Sequence, residues 1–177
     1  MATYNTNSTS NTLLLENLIA WIAEMEHQHH IYYLNMQLRK LSPTDPEVQL
    51  SPSTPSKVSK LFYYRVFFNQ FELLEIEDSV YTHFSLMLRT INNRLTQDKK
   101  TTSPERFKEL VAASFFISLK YLMDDYNIYL SDFARMGKIN IDVLEQTELF
   151  LLIDLLKGDI HYDERAYSME LDRLLKN

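Results

Sequence analysis

The sequence predicts an all-α protein whose helices pack around one buried central helix. The segment from Leu110 to Met123 has fourteen residues, and Lys120 is its only charged one. A helix that is apolar on every side must be enclosed by protein or lipid. Fourteen residues rise about 21 Å, which is too short for a bilayer core of roughly 30 Å. Two glycines in 177 residues also disfavour β-rich and phosphate-loop folds, because both need positions with positive φ.

Composition indicates which partners are plausible. The formal net charge is -6, no basic run exceeds Lys99-Lys100, and cysteine is absent. The acidic charge and the lack of a basic run predict no nucleic-acid partner. The absence of cysteine predicts no disulfide, and proteins without disulfides are typical of the cell interior. The first residues lack the basic and apolar blocks of a signal peptide. We therefore expect a cytoplasmic or nuclear protein with no membrane partner and no cofactor.

The N-terminal third combines a tail, a helix and a linker. Residues 1–12 are mainly Ser, Thr and Asn, which predicts a disordered tail. Residues 13–56 are interpreted as an N-terminal helical extension and a Pro-rich linker, with apolar residues at helical spacing up to Leu41. Glu26 and His29 form one Glu-x-x-His step, but a di-iron site needs that step twice. A solvated helix face with ordinary histidines is therefore favoured over a metal site.

The linker contains four of the five prolines within residues 42–56. Ser51-Pro52 and Thr54-Pro55 are minimal proline-directed phosphorylation sites, and Thr54 begins the fuller Thr-Pro-x-Lys form. A phosphate there would lie close to the positive end of the next helix. The alternative is a semi-rigid linker in which such dipeptides arise by chance.

The remaining helices are predicted from apolar spacing and from capping residues. Ser103 and Pro104 begin the central helix, Asn140 caps the following long helix, and Gly158 provides its left-handed C-cap. The predicted ranges are 57–71, 77–95, 107–125, 130–136, 141–157 and 162–175.

Two charges stand at apolar positions of this pattern. Lys120 interrupts the buried helix, and Glu148 interrupts the apolar stripe of the helix that ends at Gly158. Each has an ordinary explanation, because lysine can extend its ammonium to the surface and a glutamate can lie at a stripe edge. Together they suggest an ion pair at the margin of the core. Such a pair stabilises poorly once desolvation is counted, so a binding role is the sharper hypothesis.

The ordered set of motifs from Arg65 to Asp159 resembles the cyclin box of the P/U-type cyclins, the group that includes fungal phosphate-response cyclins. Residues 120–127 read KYLMDDYN and are similar to the family's Lys-x-Leu-x-Asp-Asp and Tyr-x-Asn. Residues 133–139 read FARMGKI, residues 148–152 read ELFLL, and residues 91–95 read INNRL. The resemblance implies a five-helix bundle over residues 57–161, with residues 162–177 as a C-terminal helix.

The resemblance implies a regulatory subunit of a cyclin-dependent kinase and not an enzyme. Lys120 and Glu148 then match the residues that contact the kinase backbone beside its PSTAIRE-type helix, in a helix-in-groove contact. The expected kinase-binding residues are Lys120, Glu148, Ile117, Tyr121, Leu152 and Leu155.

Departures from the family pattern keep alternatives open. The family's buried arginine-aspartate bridge would here be Arg65 with Asn93, which leaves Arg65 in need of another acceptor. Lys157 stands where an aromatic or apolar groove residue is usual. These departures favour, as an alternative, a cyclin-fold protein-protein adaptor without kinase activation. A helical-bundle enzyme or metal protein is disfavoured, because no nucleophile and base arrangement is evident.

Overall fold

The computed structural model describes residues 7–41, 57–98, 102–123 and 127–176. This part of the chain is all-α, as predicted, and contains no strand. The helices are α1 (Asn7–Leu41), α2 (Lys57–Asn69), α3 (Asp78–Gln97), α4 (Pro104–Leu122), α5 (Leu130–Gly137), α6 (Ile141–Leu149) and α7 (Glu164–Lys176). A short 3₁₀ turn covers Glu72–Leu74, and a π-helical segment, Phe150–Leu155, continues α6.

Helix α4 is the centre of the fold, which confirms the prediction from its composition. Every side chain from Leu110 to Leu119 is buried, and α4 packs against α1, α3, α5 and α6. Ser103 is its N-cap, and the Ser103 hydroxyl accepts a hydrogen bond of 3.1 Å from the Arg106 amide. The cap satisfies one of the free amides of the first turn, so the start of the central helix is fixed locally.

Phe115 lies at the middle of an aromatic core. Its ring centroid is 5.1–6.3 Å from the rings of six neighbours on α2, α3, α5 and the turn after α2. The neighbours are Phe67, Phe68, Phe71, Tyr81, Phe84 and Phe133. Most of these pairs are edge-to-face, the arrangement that aromatic quadrupoles favour. One α4 side chain therefore holds several helices together.

Helix α1 is a single helix of 35 residues that begins at Asn7. The prediction that residues 1–12 form a disordered tail is therefore wrong for residues 7–12, and residues 1–6 lie outside the described part. Extending an existing helix costs far less than nucleating one, so the polar run joins the helix that Leu14, Leu18 and Ile22 anchor in the core. Helix α1 packs against α2, α3, α4 and α7, so the N-terminal extension is an integral part of the fold.

The long helix predicted for residues 141–157 changes character after Leu149. The π segment shifts the backbone register, so that the Leu156 amide bonds to the Leu151 carbonyl, five residues earlier, at 2.7 Å. Lys157 and Gly158 then both have positive φ, at 54° and 76°. The predicted left-handed cap at Gly158 is confirmed, and the wider turn leaves Leu151, Leu155 and Leu156 all buried.

Helix α7 is joined to α3 and α1 by a charged network around Glu170, which is buried. The Ser85 hydroxyl and the Arg173 guanidinium donate to Glu170 at 2.5 and 2.6 Å, and Arg89 lies 2.7 Å from its second oxygen. Arg173 also covers the Trp21 ring at 4.5 Å. Burial acts to raise the pKa of Glu170, but the bonds from Arg173 and Ser85 outweigh it, and the net pKa is lowered.

We expect Glu170→Gln to lower the free energy of unfolding by about 1–3 kcal/mol at neutral pH, the usual cost of disturbing a buried charged hydrogen-bond network. Because the folded-state pKa is lowered, this stabilisation is complete above the ordinary value of 4.5 and is lost as the pH falls through the folded value. Urea denaturation of wild type and variant across acidic pH measures this. If the difference in the free energy of unfolding between wild type and variant stayed constant on acidification, the lowered pKa of Glu170 would be contradicted.

Candidate protein-binding site

Lys120 and Glu148 form the ion pair that the sequence predicts. Lys120 lies in the last turn of α4, and its ammonium lies 2.9 Å from Oε1 of Glu148 on α6. The Lys120 side chain is 49% exposed, and that of Glu148 is 13% exposed. The ammonium also lies 5.0 Å from the centroid of the Phe116 ring. The pair therefore stands at the margin of the core, with one member open to solvent.

The pair has hydrogen-bonding capacity left over. An ammonium has three donors and a carboxylate has two oxygens. Within the described residues, Lys120 donates to Oε1 of Glu148, and no partner is seen for the second Glu148 oxygen. The site can therefore donate to a carbonyl and accept from an amide of an approaching backbone.

The apolar residues expected around the pair divide into two groups. Ile117 and Leu155 are buried in the core and offer little surface to a partner. Leu152 is half-buried, and Tyr121 is exposed. Leu152 follows Glu148 by one helical turn, so these two side chains share a face.

Tyr121 is held by a buried histidine that sequence reasoning did not identify. Its ring stacks on His83 at 5.0 Å, and its hydroxyl bonds to Nδ1 of His161 at 2.5 Å. Both nitrogens of His83 are occupied, by the Ser118 hydroxyl and the Ile160 carbonyl, each at 2.9 Å. Burial lowers the pKa of His83, and its two hydrogen bonds hold the ring against the Tyr121 side chain.

Two further apolar side chains beside Glu148 were missed. Leu149 is 51% exposed and Ile153 is 65% exposed. Large apolar side chains cost free energy when they face water, and two exposed ones on the same helical stretch as Glu148 suggest a contact surface. The sequence feature that could have identified these two residues is their position, one and five residues after Glu148. We call Lys120, Glu148, Tyr121, Leu149, Leu152 and Ile153 the α4–α6 surface.

A second charged cluster lies between α1 and α2 and was not predicted. Glu26 and Lys60 are buried, and the ammonium lies 3.0 Å from Oε1 of Glu26. The Tyr64 hydroxyl donates to Oε2 of Glu26 at 2.7 Å, and Nδ1 of His30 lies 3.4 Å from the ammonium. The pKa of His30 is lowered by burial and then by Lys60, which suits His30 as a neutral acceptor.

The expectation of a solvated helix face is therefore wrong for Glu26, which points into the protein. His29 is also partly buried. It bonds to Oδ1 of Asn92 at 2.8 Å, and its ring lies 5.1 Å from that of Phe107. Within the described ranges, no group of three or more His, Asp or Glu side chains could hold a metal ion.

Arg65 does not form the buried bridge with Asn93 that the resemblance implies. Its side chain is exposed, and it forms two-pronged hydrogen bonds with Glu16 of α1, the closest at 2.6 Å. Glu16 of the N-terminal extension thus supplies the acceptor that Asn93 does not provide. Asn93 itself is exposed.

The predicted phosphorylation sites Ser51 and Thr54 lie outside the described residues. Among the helices that are described, none combines the length and the apolarity needed to cross a membrane. No known protein-family model matches the chain, and no curated protein or solved structure is significantly similar to it.

Proposed function

We propose that this chain is a cyclin-like regulatory subunit that binds and activates a cyclin-dependent protein kinase. The observation that carries the proposal is the Lys120–Glu148 pair, which is partly open to solvent and lies on the same helical stretches as several exposed apolar side chains. The proposal places helices α2 to α6 as the cyclin box and implies a cytoplasmic or nuclear location. In this view the chain itself catalyses nothing.

The α4–α6 surface has the chemistry needed to receive a helix. Backbone carbonyls and amides without internal partners occur at helix ends and in the adjoining loops. Lys120 can donate to such a carbonyl, and the second oxygen of Glu148 can accept from a neighbouring amide, of the backbone beside the bound helix. The apolar side chains of Leu149, Leu152 and Ile153 would contact the apolar face of the bound helix. Holding the kinase helix in this way favours the conformation in which its glutamate reaches the ATP-positioning lysine.

A purely structural role explains the pair less well. An ion pair with one half-exposed member contributes only about 0–1 kcal/mol to stability. The core beneath it is already complete, since Ile117 and Leu155 are buried. Substitutions at the pair should therefore leave the fold intact, so that their effect on binding can be measured separately.

We expect Lys120→Glu and Glu148→Lys each to weaken kinase binding by at least about 30-fold, because breaking one member of a desolvated charge pair at an interface costs about 2–5 kcal/mol. Affinity for the purified kinase, measured by calorimetry, tests this. The matched control is Lys176→Glu, which reverses one charge of the exposed Lys176–Asp172 pair on α7. Unchanged binding by both pair variants would rule out the proposed contact.

A second candidate function is an adaptor that uses the same fold without activating a kinase. It is favoured by Lys157, which is exposed and has a φ of 54° where the family has an aromatic or apolar groove residue. A purified complex that forms with normal affinity, yet gives no gain in phosphorylation of a generic substrate, would favour the adaptor.

A further inference from the structure

A pocket lies between α1 and α3, away from the α4–α6 surface. Its volume is about 420 Å³, within the range of roughly 300–1,000 Å³ that is usual for small-molecule sites. Trp21, Met25, Tyr32 and Leu95 supply most of its apolar lining, and its polar lining residues are Glu24, Gln28, His29, Asn92 and Thr96. A concave apolar wall with a few polar groups is the usual chemistry of a ligand pocket.

The lining of the pocket is held in place by contacts among its residues and with their neighbours. His29 and Asn92, which both line the pocket, join α1 to α3 by their hydrogen bond of 2.8 Å. Behind them, the His29 ring lies against Phe107 of the central helix. The Trp21 ring is fixed by Arg173, which lies 4.5 Å from its centroid. The pocket is therefore preformed, which reduces the entropy that a ligand must lose on binding.

The charge at the pocket determines which ligands it favours. Glu24 lines it and accepts hydrogen bonds from Lys57 and Gln28, and the first of these is the main cause of its lowered pKa. Glu24 is thus ionised at neutral pH. Its partner Lys57 is half-exposed, at 2.5 Å from Oε2, and an exposed pair of this kind contributes only about 0–1 kcal/mol. A cation that also fills the apolar pocket can replace Lys57.

We propose that this pocket binds a small aromatic amine in its protonated form. The aromatic ring lies against Trp21, Met25 and Leu95, and the ammonium binds the Glu24 carboxylate. Anionic ligands of the same shape bind more weakly, because Glu24 repels them. The pocket shares no residue with the α4–α6 surface.

The intrinsic fluorescence of the chain reports on this pocket directly, because Trp21 is the only tryptophan in the sequence. The probes are phenethylamine and hydrocinnamate, which have a similar phenyl-ethyl body and opposite charges, and neither absorbs where tryptophan is excited. We expect a saturable change of Trp21 emission with phenethylamine. Hydrocinnamate should bind about five- to tenfold more weakly, because Glu24 attracts the ammonium and repels the carboxylate in one surface contact. No saturable change with phenethylamine, or equal affinity for both probes, would overturn the proposal.

Three variants localise the effect. Glu24→Gln should abolish the discrimination between the probes, and Lys57→Gln should strengthen phenethylamine binding about threefold by removing the competing ammonium. Thr96→Phe places a ring in the pocket lining and should weaken binding at least about tenfold, the loss expected when the space for a buried ring is taken. Gln97→Phe, one residue further along and outside the lining, is its control. Equal affinity of the Thr96 and Gln97 variants would show that the probe binds elsewhere.

Discussion

Lys60→Met should lower the free energy of unfolding by about 3–5 kcal/mol, the usual cost of removing one partner of a buried ion pair. Among the residues that the structure describes, Glu26 would keep only the Tyr64 hydroxyl at 2.7 Å as a hydrogen-bond donor, while its charge remained buried and unpaired. The urea midpoint should fall without a change in the slope of the transition.

The control for this variant is Lys57→Met, the same change on the same helix. Lys57 is half-exposed and pairs with Glu24 on the surface, so its loss should cost no more than about 1 kcal/mol. The double variant Glu26→Gln with Lys60→Met should recover much of the lost stability, since it removes the unpaired charge and keeps an acceptor for Tyr64. If Lys60→Met and Lys57→Met lowered the free energy of unfolding by similar amounts, burial of the ion pair would not determine the size of the loss.

Phe115→Ala should be comparably destabilising, at about 3–5 kcal/mol for a phenylalanine truncated in a packed core. Phe115 is fully buried and contacts rings from α2, α3 and α5, so the neighbours cannot all relax into the space it leaves. The free energy of unfolding from urea titration measures the loss. Phe115→Leu should cost less, because it keeps most of the volume.

The exposed Phe62 provides a matched control, because it is 69% exposed on α2. Phe62→Ala should change stability by no more than about 0.5 kcal/mol. If the two alanine variants had similar stability, α4 would not be the centre of the core.

Local signals were sufficient to place most helices. The central helix begins where Ser103 and Pro104 predicted, and Gly158 has the left-handed conformation that its glycine suggested. The start of α1 was misplaced because Ser, Thr and Asn give no apolar period, although a nucleated helix can extend through them. No sequence pattern marks the π segment, because its backbone hydrogen-bond register depends on how Leu151 and Leu155 pack into the core.

The Lys120–Glu148 pair was predictable because each charge interrupts an otherwise apolar stripe. Glu26 and Lys60 gave no such signal, since each lies in a mixed stretch and the two are 34 residues apart. Their pairing depends on α1 lying antiparallel to α2, an arrangement also marked by the Glu24–Lys57 and Glu16–Arg65 pairs. The spacing of a single helix carries no information about that contact.

The most direct test of the proposed function is kinase activation by the purified chain. The kinase is first identified by native co-purification with the full chain and then assayed alone, with wild type, and with Glu148→Lys. The proposal predicts that wild type raises phosphorylation of a generic substrate and that Glu148→Lys does not. If wild type captures no protein kinase, or leaves kinase activity unchanged, the chain is not an activating kinase subunit.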